Sequence, residues 1–113
     1  MKIDSYGFGR ISIEGHPYTS DVIIYPERVD ASWWRKEGHL LQLADLGEVL
    51  RDPPEVLVVG TGASGVMKVA PEVEERAAVL GVRLVVRRSY EACQEYNRLA
   101  GERRTVACIH LTC

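Results

Sequence analysis

The chain has 113 residues, 46% of them hydrophobic and 27% charged, with a formal net charge of −2. That length fits a single domain spanning 1–113 that buries a core without covalent staples, and the composition excludes a disordered or low-complexity polypeptide. The slightly acidic balance provides no electrostatic footprint for nucleic acid, and no apolar run approaches the ~20 residues that cross a bilayer, so neither partner class is expected.

Met1-Lys2-Ile3-Asp4 does not open a signal peptide. The three cysteines, Cys93, Cys108 and Cys113, are odd in number and confined to the second half, which is no disulfide framework. A reducing, cytoplasmic setting is expected.

In chain order, Tyr6-Gly7-Phe8-Gly9 reads as an irregular lead-in strand. Arg10-Ile11-Ser12-Ile13-Glu14 alternates polar and apolar, Gly15-His16-Pro17 interrupts it, and Val22-Ile23-Ile24-Tyr25 resumes an apolar run. This predicts two antiparallel strands joined by a turn. Asp45-Leu46-Gly47-Glu48 has the form of a capping box, predicting a short helix from about Leu46 to Arg51 before Pro53-Pro54.

The second half is more regular. Val56 to Val59 reads as a buried strand. Pro71 suits the first helical position, Glu72, Glu74 and Glu75 complement the helix dipole, and Val73, Ala77 and Leu80 make one apolar stripe up to Gly81. The spacing predicts a helix over 71–80. Val82 to Val86 is a second strand, Ser89 is the expected N-cap of a second helix, and Ala92, Cys93, Tyr96, Leu99 and Ala100 recur at helical spacing until Gly101. Thr105 to Leu111 supplies a third strand. Strand, helix, strand, helix, strand with short connections predicts parallel strands and right-handed crossovers. The fold expected is α/β, a three-layer domain with a mixed central sheet, a βαβαβ C-terminal half and antiparallel N-terminal strands.

Three features could carry function. Gly60-Thr61-Gly62-Ala63-Ser64-Gly65 matches Gly-x-Gly-x-x-Gly after a strand, where backbone N–H groups can approach an anion. The expected helix starts several residues late for a dinucleotide fingerprint, and Arg87 and Arg88 stand where a ribose-binding acid would fall. A structural turn, a small-anion loop and a dinucleotide site therefore all remain open. For a small anionic ligand, the candidate residues are Gly60, Thr61, Gly62, Gly65, Arg87, Arg88 and Ser89. Trp33-Trp34 is the second feature: one ring is expected to pack inward while the other is exposed as an anchor for a protein partner, or both cap the core. Third, Cys108 and His110 share a strand face, and Cys93 on the preceding helix could face it too. Without a Cys-x-x-Cys pair, ordinary packing is expected, with no metal and no cofactor.

Taken together, Tyr6-Gly7-Phe8-Gly9, Gly15 with Tyr18, Asp21 to Pro26, Gly60-Thr61-Gly62, Pro71-Glu72, Tyr96-Asn97 and Ile109 to Cys113 resemble one small family across nearly the whole chain. It is the family of single-domain proteins that includes the mitochondrial complex I assembly factor and the adipogenesis-associated domain protein. The resemblance implies a three-layer α/β domain with a mixed sheet and work done through protein contacts. It implies no activity and carries no catalytic residues, so an enzyme is not the leading expectation. The organelle-targeting extension of the assembly-factor members has no counterpart here, and the complex I role is not carried over.

Overall fold

A computed structural model describes all residues, 1–113. Two strands with every residue buried form its centre: β7 (Val56–Thr61) and β10 (Thr105–His110), paired in parallel. Continuous apolar runs such as Val56 to Val59 are what a parallel strand covered on both faces requires. The five-stranded sheet has the order β5-β4-β10-β7-β9, with β9 at Arg83–Arg87, β4 at Val22–Ile24 and β5 at Val29–Asp30. β9 lies parallel to β7, whereas β4 runs antiparallel to β10. The βαβαβ half and the mixed sheet are thus as the strand and helix periods predict.

Alternation divides the core between the sheet's faces. Val56, Val58, Ala107 and Ile109 pack against Ala92, Cys93, Tyr96 and Leu99 of α3 (Ser89–Ala100) and against Ile3, Ile11 and Ile13. Leu57, Val59, Val106 and Cys108 face Val73 and Ala77 of α2 (Pro71–Leu80), together with Trp33, Leu46, Val49 and Met67. α2 begins with Pro71 at its first position and ends at Gly81, whose φ of 73° closes the helix through hydrogen bonds to Ala77 and Ala78 carbonyls. No helix is long and apolar enough to cross a membrane.

The N-terminal strands pair differently from expectation. β1 (Ile3–Gly7), β2 (Arg10–Ile13) and β3 (His16–Tyr18) make their own antiparallel sheet, with a register shift between Ile3 and Ser5. Glu14 and Gly15 both have positive φ, 49° and 79°, giving a two-residue turn that sends the chain straight back. β2 therefore pairs with β3, and the run at Val22 crosses into the central sheet.

The segment before β7 also departs from expectation. A 3-10 turn, Leu43–Leu46, precedes α1 (Gly47–Arg51). Asp45 does not box with Glu48: its carboxylate accepts from the Gln42 and Lys36 amides at 2.8 and 3.1 Å, while Glu48 is bound to Arg28. The short pair β6 (Leu40–Leu41) and β8 (Lys68–Val69) joins this segment to the stretch before α2.

Two neighbouring residues show how α3 is held. Asn97 mimics a strand partner, its Oδ1 accepting from the Ile3 amide at 2.9 Å and its Nδ2 donating to the Ile3 carbonyl at 2.8 Å. The Tyr96 ring is fully buried, but its hydroxyl has no hydrogen-bond partner. Burial, with the charge of Glu14 adding to it, pushes that phenol up to about 12. A buried hydroxyl without a partner costs on the order of 1–3 kcal/mol, so Tyr96→Phe is expected to raise stability by roughly 1 kcal/mol in urea denaturation. A loss of stability would mean the hydroxyl is satisfied in solution.

Candidate functional site

The parallel register aligns Gly60 with Arg87 and Thr61 with His110, so the carboxyl ends of β7, β9 and β10 form one rim. Such rims are where α/β folds place ligands. Gly60 to Gly65, Arg87, Arg88 and Ser89 are brought together there: the Thr61 hydroxyl donates to the Arg87 carbonyl at 3.1 Å, and the Arg88 side chain lies over Gly65.

Four amides of this turn are nevertheless engaged within the chain. Ala63 N–H donates to the Thr112 carbonyl at 2.7 Å, Val66 N–H to Cys113 at 2.9 Å, and Gly65 N–H back to Gly62 at 3.2 Å. Gly62 N–H donates to Ser89 Oγ at 2.9 Å. The Ser89 hydroxyl donates in turn to the His110 carbonyl at 2.5 Å, and the Ser89 amide to the Gly62 carbonyl at 3.1 Å. Ser89 is therefore not the N-cap of α3, a position held by Arg88; its buried hydroxyl ties the ends of β7 and β10 together.

These bonds account for the glycines. A Cβ on Gly60 would lie 2.8 Å from Ser89 Oγ; one on Gly62, at φ 104°, would run into the Cys113 carbonyl group and sit 2.7 Å from the Thr112 oxygen. The space a phosphate would take beside Gly62 is occupied by the chain's own 112–113 backbone.

The same rim carries a polar cluster that no local motif announced. Asp21 Oδ1 accepts from the Leu111 amide at 2.7 Å, and Oδ2 contacts His110 Nδ1 at 2.7 Å and Arg35 Nη1 at 2.8 Å. Arg35 Nη2 lies 3.1 Å from the same Nδ1. A guanidinium only donates and a carboxylate only accepts, so the shorter Asp21 contact makes Nδ1 the protonated nitrogen. The Nε2 atom is buried and has no hydrogen-bond partner, with the exposed His39 ring edge-on at 5.9 Å between centroids. Arg35 also bonds the Gly38 carbonyl and stacks on Trp33 at 4.6 Å. Only 5% of its side chain is exposed.

The two tryptophans separate, one inward and one outward, so they do not both cap the core. Trp33 is buried, its Nε1 donating to the Asp45 carbonyl at 3.2 Å, whereas Trp34 is 75% exposed. The cysteines do not converge: Cys108 faces the α2 layer, Cys93 the α3 layer, and Cys113 is exposed. Burial pushes the Cys93 thiol up to about 12 and the Cys108 thiol higher still, so both are protonated packing groups.

Asp21 supplies a pH test. Desolvation pushes its pKa up, but hydrogen bonds from His110, the Leu111 amide and Arg35 outweigh it and hold the carboxyl at about 2, against an ordinary 3.8. A depressed folded pKa stabilises the protein above the unfolded value and loses that contribution as pH falls through the folded one; the window is pH ~4 to ~2, worth about 2 kcal/mol. Asp21→Asn should therefore be less stable than the parent at pH 6, with the gap shrinking by pH 2 in parallel urea melts. A gap independent of pH would contradict the cluster.

Comparison with known proteins agrees with this fold. The family described as protein of unknown function (DUF498/DUF598) matches residues 3–111. The chain is similar to a conserved hypothetical protein from Pyrococcus horikoshii, at 30% identity, 100% coverage of both chains and a TM-score of 0.84. It is also similar to a Mth938-like domain from Bordetella pertussis, at 28% identity over 97% of this chain and 85% of that one, with a TM-score of 0.70. The chain belongs to the DUF498/DUF598 family.

Proposed function

We propose that this chain is a non-enzymatic protein-binding module that docks a partner on the carboxyl rim, with Trp34 as the central anchor. The observation that carries this is the exposure of Trp34 between two pinned neighbours. Trp33 is buried and bonded to Asp45, and Arg35 is clamped by Asp21 and the Gly38 carbonyl. The indole is thus presented by a fixed backbone, which lowers the ordering cost of binding.

Its surroundings favour the same reading. Of the six exposed large apolar side chains, four are Phe8, Trp34, Val66 and Tyr90. Phe8, Val66 and Tyr90 each are, or adjoin, a residue hydrogen-bonded to the 110–113 segment, Gly9 to Leu111, Val66 to Cys113 and Ser89 to His110, and Trp34 adjoins Arg35, which is tied to that segment through Asp21. Exposed apolar and aromatic side chains that adjoin one restrained backbone segment suit a protein contact. The resemblance to assembly-factor domains adds an analogy in the same direction.

The competing reading, a small anionic ligand at Gly60 to Gly65 with Arg87 and Arg88, is favoured by one observation: Arg88 lies over Gly65. The occupied amides weigh against it, as does the cleft of about 330 Å³ at Arg87, which also contains Glu91 and Glu95.

Trp34→Ala and Val79→Ala proteins, each checked for a native circular dichroism spectrum, separate the readings. Partners retained by the parent on an affinity resin should fall by on the order of thirtyfold with Trp34→Ala, the ~2 kcal/mol of an anchor residue, and persist with Val79→Ala. Equal recovery with Trp34→Ala would overturn the proposal. A phosphate or nucleotide that raises the parent's Tm, and loses that effect in Arg88→Ala, would establish the competing reading.

A further inference from the structure

The two remaining exposed apolar side chains, Val79 and Leu80, lie at the end of α2, on the side of the sheet that packs α1 and the 3-10 turn. A cleft of about 350 Å³ opens there, floored by Leu43, Leu46, Leu50 and Leu80 and edged by Arg51 and Arg76. These two arginines are its only charged lining residues, and both are exposed. Neither takes part in any of the chain's ion pairs or side-chain hydrogen bonds. Three acids close to them in sequence are engaged elsewhere: Glu48 is bound to Arg28, Asp52 to Arg104, and Glu72 Oε2 accepts from the Leu43 amide at 3.3 Å.

An apolar floor between two uncompensated guanidinium groups defines its complement: an apolar stripe flanked by carboxylates. Guanidinium groups favour carboxylates because their planar N–H array matches two oxygens at once. Val79, 80% exposed, lies outside the cleft. An acidic amphipathic helix with leucine-like residues at i, i+3, i+4 and i+7 presents such a stripe with carboxylates beside it. From these observations we propose that the groove between α1 and α2 docks an acidic amphipathic helix of a partner protein, its apolar side chains on Leu43, Leu50 and Leu80 and its carboxylates on Arg51 and Arg76. This surface is independent of the Trp34 rim.

The probe is a fluorescein-labelled helical 16-residue peptide with leucine at i, i+3, i+4 and i+7 and glutamate between them, beside a counterpart with lysine for glutamate. The glutamate peptide is expected to bind saturably, to shift the backbone amides of 43–51 and 76–80 in NMR titration, and to weaken as salt rises. Arg51→Glu with Arg76→Glu should reduce its affinity at least tenfold without altering the circular dichroism spectrum. Leu80→Ser should reduce it with the charges intact, and Trp34→Ala should leave it unchanged. Equal binding of the lysine peptide, amide shifts confined to other residues, no binding at millimolar peptide, or indifference to the double charge reversal would each overturn the proposal. So would saturation of the groove by octanoate with no peptide binding, which would assign it to a small amphiphile.

Discussion

The backbone of residues 110–113 is held from several sides by hydrogen bonds, and the carboxyl rim of the sheet takes its form from that restraint. Ser89 holds the His110 carbonyl, Asp21 the Leu111 amide, Ala63 the Thr112 carbonyl and Val66 the Cys113 carbonyl. The Tyr6 hydroxyl and the Gly9 amide both donate to the Leu111 carbonyl, so the N-terminal sheet is fastened to the same segment. Backbone polar groups withdrawn from water need partners, and here six residues in four parts of the chain supply them. Beside Gly62 the rim is consequently filled by the chain's own backbone.

Arg35 extends that restraint outward. Its guanidinium is buried against Trp33, and burying a cation is costly unless it is paired; Asp21 supplies the pairing while holding Leu111. One carboxylate thus links the end of β10 to the 31–39 loop. The exposed indole of Trp34 follows from this: its neighbours on both sides have partners inside, and it has none. On the proposed reading, such a surface recognises a partner by shape and apolar contact.

What the amino-acid order reveals and conceals has a physical boundary. The helix at 71–80 was legible because Pro71 and Gly81 act locally, and the strands at Val56 and Thr105 because their apolar runs need no knowledge of a partner. Strand pairing was less legible: the turn at Glu14-Gly15 sends β2 back onto β3, whereas β4's pairing with β10 spans most of the chain. The Asp21, Arg35 and His110 cluster was missed for the same reason, since His110 is 75 residues from Arg35 and 89 from Asp21. The glycine pattern was visible, but a pattern of missing Cβ atoms records only that something approaches closely. At Gly60 that is Ser89, and at Gly62 it is Thr112 and Cys113.

Amide hydrogen exchange at Ala63 and Val66 tests most directly whether the glycine loop is occupied by the chain itself. If the Thr112 and Cys113 carbonyls hold these amides, both should exchange slowly in the free protein, and millimolar phosphate should leave their rates and chemical shifts unchanged. Rapid exchange in the free protein, slowed by phosphate, would show that the loop's donors stand open for an anion and would contradict the account.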